Sequence, residues 1–386
     1  MMLIRTLYFL VFLCVFLGST LSCGFISSLL LKDDPTPTGM IVIFQNGDVA
    51  IEREGKIINS SPGLILREND TIKTKSGSVD VQTGKGDVIR IKSFSQVTLK
   101  EISKSGKPNT NLYVQAGELL IKTNKLKAKD SFLLTTPTAV AGVRGTTFSF
   151  ELTSGNPPKV KVYEGAVAIT FKIPKELIEN NKALDKELYG EFVQFLEKNE
   201  VVLENGEESY VKPSLDEMIQ LVITRMEQNE SIDKEFEQLR KLENPEFQKE
   251  EFSPSPQEKA EVETMVSVEQ GLIDKALVEN PNSAEPVISS ISMDIEKNHE
   301  SKLDQALDHI ESEAQASNLK DEAKIKEYYN ILEMIVKTDG TKLSGAIVTQ
   351  IGDKLILHSP SGVIRLNKND IDYVDYQSFQ IKTKKK

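Results

Sequence analysis

Tryptophan is absent from the 386 residues, histidine occurs three times and cysteine twice. Two cysteines cannot build a multi-Cys zinc site or a disulfide scaffold. Aromatic residues make up only 6%, which leaves no stacking platform for bases. A formal net charge of -11 argues against tight non-specific binding to nucleic acid. The longest N-terminal apolar run, Thr6 to Leu17, has 12 residues, short of the roughly 20 that cross a bilayer. There is no H-E-x-x-H and no P-loop. His299 and His309 fall in acidic stretches, His358 falls in a strand pattern, and none stands in a nucleophile motif. These absences point to a binding or structural protein and not to an enzyme. No cofactor, metal ligand set, catalytic residue or small-molecule substrate is identified.

What is present begins with an address. Arg5, the apolar run, and the break at Gly18-Ser19-Thr20 read as a secretory signal over 1–22. Leu21-Ser22-Cys23-Gly24 then has a small residue directly before a cysteine, the pattern of a bacterial lipoprotein signal. Cleavage is expected between Ser22 and Cys23, with a diacylglycerol on the Cys23 thiol and a further acyl chain such as palmitate on its amine. Lipid contributes about 0.8 kcal/mol per buried methylene, so two or more chains give stable anchoring. Gly24 in place of Asp implies the outer membrane, with the chain on the periplasmic side or the surface. Residues 23–38 form the lipidated tether, its end stiffened by Pro35 and Pro37.

From Gly39 the pattern has period two. Val79/Val81, Ile89/Ile91 and Val97/Leu99 alternate with polar residues, which predicts short strands that bury one face and wet the other. Asn46-Gly47 between apolar runs predicts a hairpin. The run Thr136-Pro137-Thr138-Ala139-Val140-Ala141-Gly142-Val143-Arg144-Gly145-Thr146-Thr147-Phe148 resembles the signature of the FecR-type domain, named for the periplasmic part of iron-dicitrate sensing regulators. Asn69-Asp70-Thr71-Ile72-Lys73-Thr74 resembles that family's GD-x-I-x-T segment, with Asn69 where the family has Gly. Val160 to Val167 resembles its V-x-V-x-x-G-x-V hairpin, and Leu203 to Glu207 its closing L-x-x-G-E turn. The resemblance implies a periplasmic β module that binds other proteins or the envelope. Pro137, Gly142, Arg144, Gly145, Thr146 and Phe148 are read as structural: the proline ends a strand, the glycines permit positive φ or close approach, and Arg144 forks onto carbonyls or a carboxylate. The family's regulators carry a Trp-bearing cytoplasmic segment and a membrane span, features this chain does not show.

Residues 174–199 interrupt the β pattern and predict a helical insertion in a β domain over 39–213. An acidic helical region follows over 214–338, with capping boxes at Ser214-Glu217 and Ser255-Glu258 and a linker near 245–257. The stripe Ile325, Tyr329, Leu332, Ile335 extends its last helix to 337. Apolar alternation after Gly340 resembles small SH3-like or Sm-like barrels over 339–378, and 379–386 is a basic tail. Charge divides with this layout. Residues 23–172 hold 20 Lys/Arg against 14 Asp/Glu, whereas 173–386 hold 26 against 44. The excess on each half is read as solvated surface.

The expected fold is a multidomain α+β chain: an all-β FecR-type domain of short strands, a helical middle region and a small C-terminal SH3-like/Sm-like β unit. The expected function is a lipid-anchored envelope scaffold that recruits a protein or cell-wall partner, with no nucleic acid involved. The alternative is a periplasmic component of an envelope or iron-uptake signalling system. An unrecognised hydrolase is the third possibility.

Overall fold

The computed structural model describes residues 39–102, 109–124, 131–143, 145–153, 156–172, 186–279 and 283–376. The signal and tether, Ser22, Cys23, Arg144, the first part of the helical insertion and the basic tail lie outside the described residues. The chain is mixed α and β, as the pattern predicts.

Seventeen strands form a two-layer body. They are β1 (Met40–Asn46), β2 (Val49–Arg53), β3 (Lys56–Asn59), β4 (Ile65–Leu66), β5 (Thr71–Thr74), β6 (Ser78–Thr83), β7 (Val88–Ile91), β8 (Gln96–Glu101) and β9 (Asn109–Lys122). After them come β10 (Ser131–Thr135), β11 (Ala139–Val143), β12 (Thr147–Leu152), β13 (Lys159–Glu164), β14 (Ala166–Phe171), β15 (Val201–Glu204), β16 (Glu207–Tyr210) and β17 (Gln248–Glu251). Layer one runs β4-β1-β6-β7-β9-β12-β13-β16-β17. Layer two runs β3-β2-β5-β8-β9-β10-β11-β14-β15. Only the β9–β10 pairing is parallel among these neighbours.

Strand β9 belongs to both layers. Its first half pairs with β8 and β10, its second half with β7 and β12. The crossing falls at Gly117, where φ is 103° and a Cβ would stand 2.4 Å from Ser95 Cα. Only glycine accommodates both demands. Between the layers lies one apolar core, to which alternate residues such as Val79, Val81, Ile89, Ile91, Phe148 and Phe150 contribute from layer one, and Ile72, Leu99, Val114 and Ile169 from layer two.

Three helices pack against the core of this sandwich. Within the predicted insertion, α1 (Lys186–Lys198) is a helix; α2 (Pro213–Glu227) and α3 (Asp233–Leu239) follow β16. Phe192 and Phe236 meet edge to face at 5.0 Å, and Phe247 stacks on Phe171 at 4.4 Å. Helix α2 starts one residue before the expected box. Lys212 is its N-cap, without a side-chain cap bond, and Pro213 opens it with a preset φ. The Ser255 box does form, at the head of α4 (Pro256–Glu263). Within the expected linker, residues 248–251 form strand β17 on the edge of layer one.

Helices α4, α5 (Gln270–Glu279) and α6 (Glu285–Ala316) lie on the outer face of layer one. There Ile41, Ile43, Val88 and Leu120 pack against Met265, Ile273, Ile288 and Ile295. The expectation that every strand wets one face is therefore overturned for layer one. Asp80, Gln82 and Arg90 on that face serve the chain's own helical region instead of solvent.

Helix α7 (Glu322–Tyr329) ends at Asn330, whose φ of 57° is left-handed. The stretch to 337 is a strand, not the continued helix. Strands β18 (Glu333–Lys337), β19 (Lys342–Ile351), β20 (Lys354–Ser359), β21 (Gly362–Asn367) and β22 (Ile371–Tyr376) make an antiparallel sheet in the order β21-β20-β19-β18-β22. The last strand returns to pair with the first, which is the small β unit expected from the pattern. It packs on the second half of α6 through Leu307, Ile310, Ile351 and Ile356.

Candidate functional site

The outer face of layer one carries an unusual set of polar side chains. Asp80 and Gln82 on β6 and Arg90 on β7 all point toward the helical region and are 9% exposed or less. Arg90 donates from Nε and Nη2 to the two oxygens of Asp80, at 2.7 and 2.8 Å. Its remaining donors reach the end of α4: Nη1 to the Glu261 carbonyl and the Thr264 hydroxyl, both at 3.1 Å, and Nη2 to the Thr264 carbonyl at 3.0 Å. A guanidinium at a helix C-terminus meets both the free carbonyls and the negative end of the dipole. Burial works against the Arg90 charge, yet Asp80 beside it holds its pKa above the ordinary value.

The chain beyond α4 is then read residue by residue. Val266 N donates to Asp80 Oδ2 at 3.4 Å. Gln82 accepts from Val268 N at 2.8 Å and donates to Val268 O at 2.9 Å, so one side-chain amide replaces a strand neighbour. Residues 264–268 are thereby strapped across the sheet. Helix α4 is tied down further by Lys161–Glu258 at 2.6 Å and Lys92–Glu261 at 2.7 Å.

Beside the strap opens a cleft of about 410 Å³ between layer one, helices α4 and α6 and the C-terminal unit. Its floor holds Arg90, with Lys92 set between Glu118 at 2.9 Å and Glu261 at 2.7 Å. Burial pushes the Glu118 carboxyl above its usual range, against the pull of Lys92. His299 of α6 lines one wall, with its ring 4.6 Å from Phe44 and Nδ1 3.1 Å from the Thr264 carbonyl. That bond needs the proton on Nδ1. Burial lowers the His299 pKa, and Arg90 adds to the effect.

The FecR-like motifs occupy other places. Asp70 is fully buried and takes Arg53 through two bonds of 2.8 and 2.7 Å, with Arg67 N at 2.7 Å. Asn69 before it has φ 69°, the conformation a glycine adopts most easily. Pro137 sits in the turn between β10 and β11. Gly142 lies in β11, opposite Leu133. Gly145 has φ 67°, and the neighbouring Gly165 has its would-be Cβ 2.6 Å from the Gly145 carbonyl. Thr146 joins three segments: its N–H donates to Thr123 Oγ1 at 2.9 Å, and its hydroxyl donates to the Ala166 carbonyl at 2.8 Å. Phe148 is fully buried in the sandwich core. None of these residues lines the cleft described above. Lysines and carboxylates in strand sequences carry no motif, so the cleft had no signal of its own in the sequence.

His358 is buried in the C-terminal unit, where Nδ1 lies 2.9 Å from the Tyr329 hydroxyl and Nε2 3.2 Å from the Leu319 carbonyl. His309 is exposed beside Glu313 at 3.3 Å. Among the described residues, no group of three His, Cys, Asp or Glu is placed to hold a metal ion, and no helix is long and apolar enough to cross a membrane.

Residues 70–168 match the family model described as FecR protein. That stretch runs from the buried Asp70 to the middle of β14 and supplies the centre of both layers. The chain thus carries a FecR domain within a longer architecture. No curated protein matches it. Among solved structures, it is similar to a proposed anti-sigma factor from Parabacteroides distasonis ATCC 8503, determined at 2.50 and at 1.65 Å. In both cases identity is 12% and the TM-score 0.31, over 50% of this chain and 64% of that one. This chain therefore spans less than two thirds of the solved chain, and a likeness at that TM-score says nothing of what this protein does.

Proposed function

We propose that this protein is a cell-envelope signalling component whose FecR domain binds another protein. The observation that carries the reading is the FecR match over 70–168, laid on strands β5 to β14. This favours the signalling reading over the wall scaffold, because the matched family is a regulatory one. No enzymatic role is proposed. In this reading Pro137, Gly142, Gly145, Thr146 and Phe148 build the sandwich, and a structural role is proposed for Arg144 from its place in the motif alone.

Among the described residues, the more open face for a partner is the outer side of layer two, which α1 meets at Thr170. The helical region covers layer one, whereas Leu133, Val140, Gly142, Ala166 and Ala168 are half-buried and Val202 is 47% exposed. Location comes from the signal: Cys23 carries the lipid, and the anchored chain stands in the outer membrane. Crosslinking in intact envelopes, followed by capture of the tagged chain, tests the function. Recovery of a transporter or a membrane-bound regulator is expected. Recovery of wall fragments alone would favour the scaffold. For the address, Cys23→Ser should move the chain from the membrane to the soluble fraction.

A further inference from the structure

We propose that the cleft between the FecR domain, helix α6 and the C-terminal unit binds a neutral, hydroxyl-rich ligand of one or two sugar rings. Its volume of about 410 Å³ suits such a molecule. The chemistry of its walls selects the class. The ionic groups on the floor are already matched to one another: Arg90 with Asp80, and Lys92 with Glu118 and Glu261. An anionic ligand would meet the Glu118 and Glu261 carboxylates, and a cationic one would meet Arg90 and Lys92. Either would disturb pairs that are partly shielded from water.

The groups left over are neutral apart from Lys368, an exposed lysine at the rim that makes no ion pair among the described residues. Asn46, Ser76, Ser78 and Ser93 on the sandwich side and Gln350 on the C-terminal side line the cleft, and their side chains have no hydrogen-bond partner among the described residues. Hydroxyls and amides both donate and accept, as sugar hydroxyls do. Phe44, held against His299, and Leu303 supply apolar surface for the C–H face of a ring. These groups come from the sandwich and from the C-terminal unit, so a bound ligand would bridge the two. This site is distinct from the face offered to a protein partner, and the failure of either reading leaves the other standing.

The test uses the full chain and N,N′-diacetylchitobiose or cellobiose as neutral probes, observed by saturation-transfer NMR. Saturation transfer to both is expected. Asn46→Ala and Gln350→Ala, which remove one group from each wall, should each weaken binding about fivefold, as for the loss of one hydrogen bond. Both positions are exposed, so an unchanged melting temperature will show that folding is intact. Absence of transfer to the wild-type chain overturns the proposal. So does binding that neither variant weakens, which would place it elsewhere. Stronger binding of the cationic deacetylated chitobiose or of the anionic cellobiouronic acid overturns the neutral class.

Discussion

Arg90 and Thr264 are 174 residues apart in sequence, and two hydrogen bonds of 3.1 and 3.0 Å join them. Through that pair, a strand of the FecR domain terminates a helix of the acidic region. On this face the two parts share one hydrogen-bond network.

Substitution of Arg90 tests that union. Arg90→Met keeps most of the volume but leaves Asp80 buried without its partner. Breaking a buried pair in this way costs about 3–5 kcal/mol. Urea denaturation should show a matching loss. Asp80→Asn with Arg90→Met should recover part of it, since no lone buried charge then remains.

The crossing strand gives a sharper steric test. Gly117→Ala places a Cβ 2.4 Å from Ser95 Cα in a left-handed conformation. Gly352 has φ 60° with nothing within 4 Å, so Gly352→Ala carries only the conformational cost, about 1–2 kcal/mol. Melting curves should place Gly117→Ala well below Gly352→Ala. Equal melting temperatures would mean that the two layers do not meet at Gly117 as described.

The buried imidazole predicts a pH effect. The folded pKa of His299 lies below its ordinary 6.5, because burial and then Arg90 oppose the charge. In the window between the two values the unfolded chain holds the extra proton. The contribution is thus complete above about pH 6.5 and is lost as pH falls through the lowered folded value. Melting temperature against pH should fall less steeply below that point in His299→Gln than in the wild type.

A different arginine adds ion pairs to the apolar contact between the C-terminal unit and α6. Arg365 on β21 reaches Asp308 at 2.6 Å, Glu311 at 2.7 Å and Asp304 at 3.2 Å, all on α6. The carboxylates of Asp304 and Asp308 are largely exposed, so the network contributes only about 1 kcal/mol. Arg365→Gln should therefore leave the unit folded while raising hydrogen exchange along β21 and the facing turns of α6. The same exchange should rise in the wild type at high salt.

Much of this was legible from local pattern. Ser255 and Glu258 announce helix α4 because a capping box is written in four neighbouring residues. The hairpins expected at Asn46-Gly47 and across Val160 to Val167 do not form: β1 and β2, like β13 and β14, lie in different layers and pair with other strands, so the glycines mark corners between layers. What stayed hidden was the fate of polar residues in strands. Asp80, Gln82 and Arg90 read as a wetted face, since alternation reports only that one side is not hydrophobic. Their partners lie some 180 residues away, in backbone groups that no side-chain pattern reveals. The helix expected to reach 337 failed for a related reason. Ile325 and Tyr329 belong to α7, but Leu332 and Ile335 fit a helical stripe only until Asn330 turns left-handed. The cleft joins residues from eight stretches of chain between Phe44 and Lys368, and no local pattern reports that they meet.

Helix α6 spans 32 residues, about 48 Å at the usual rise. Its first half is spent on the sandwich and its second on the C-terminal barrel-like unit. Trimming the chain after Leu332 would strip the cover from Leu307 and Ile310 and leave a sticky ridge projecting into solvent. Shortened versions made to isolate the FecR domain should therefore clump, unless they also stop before that ridge begins.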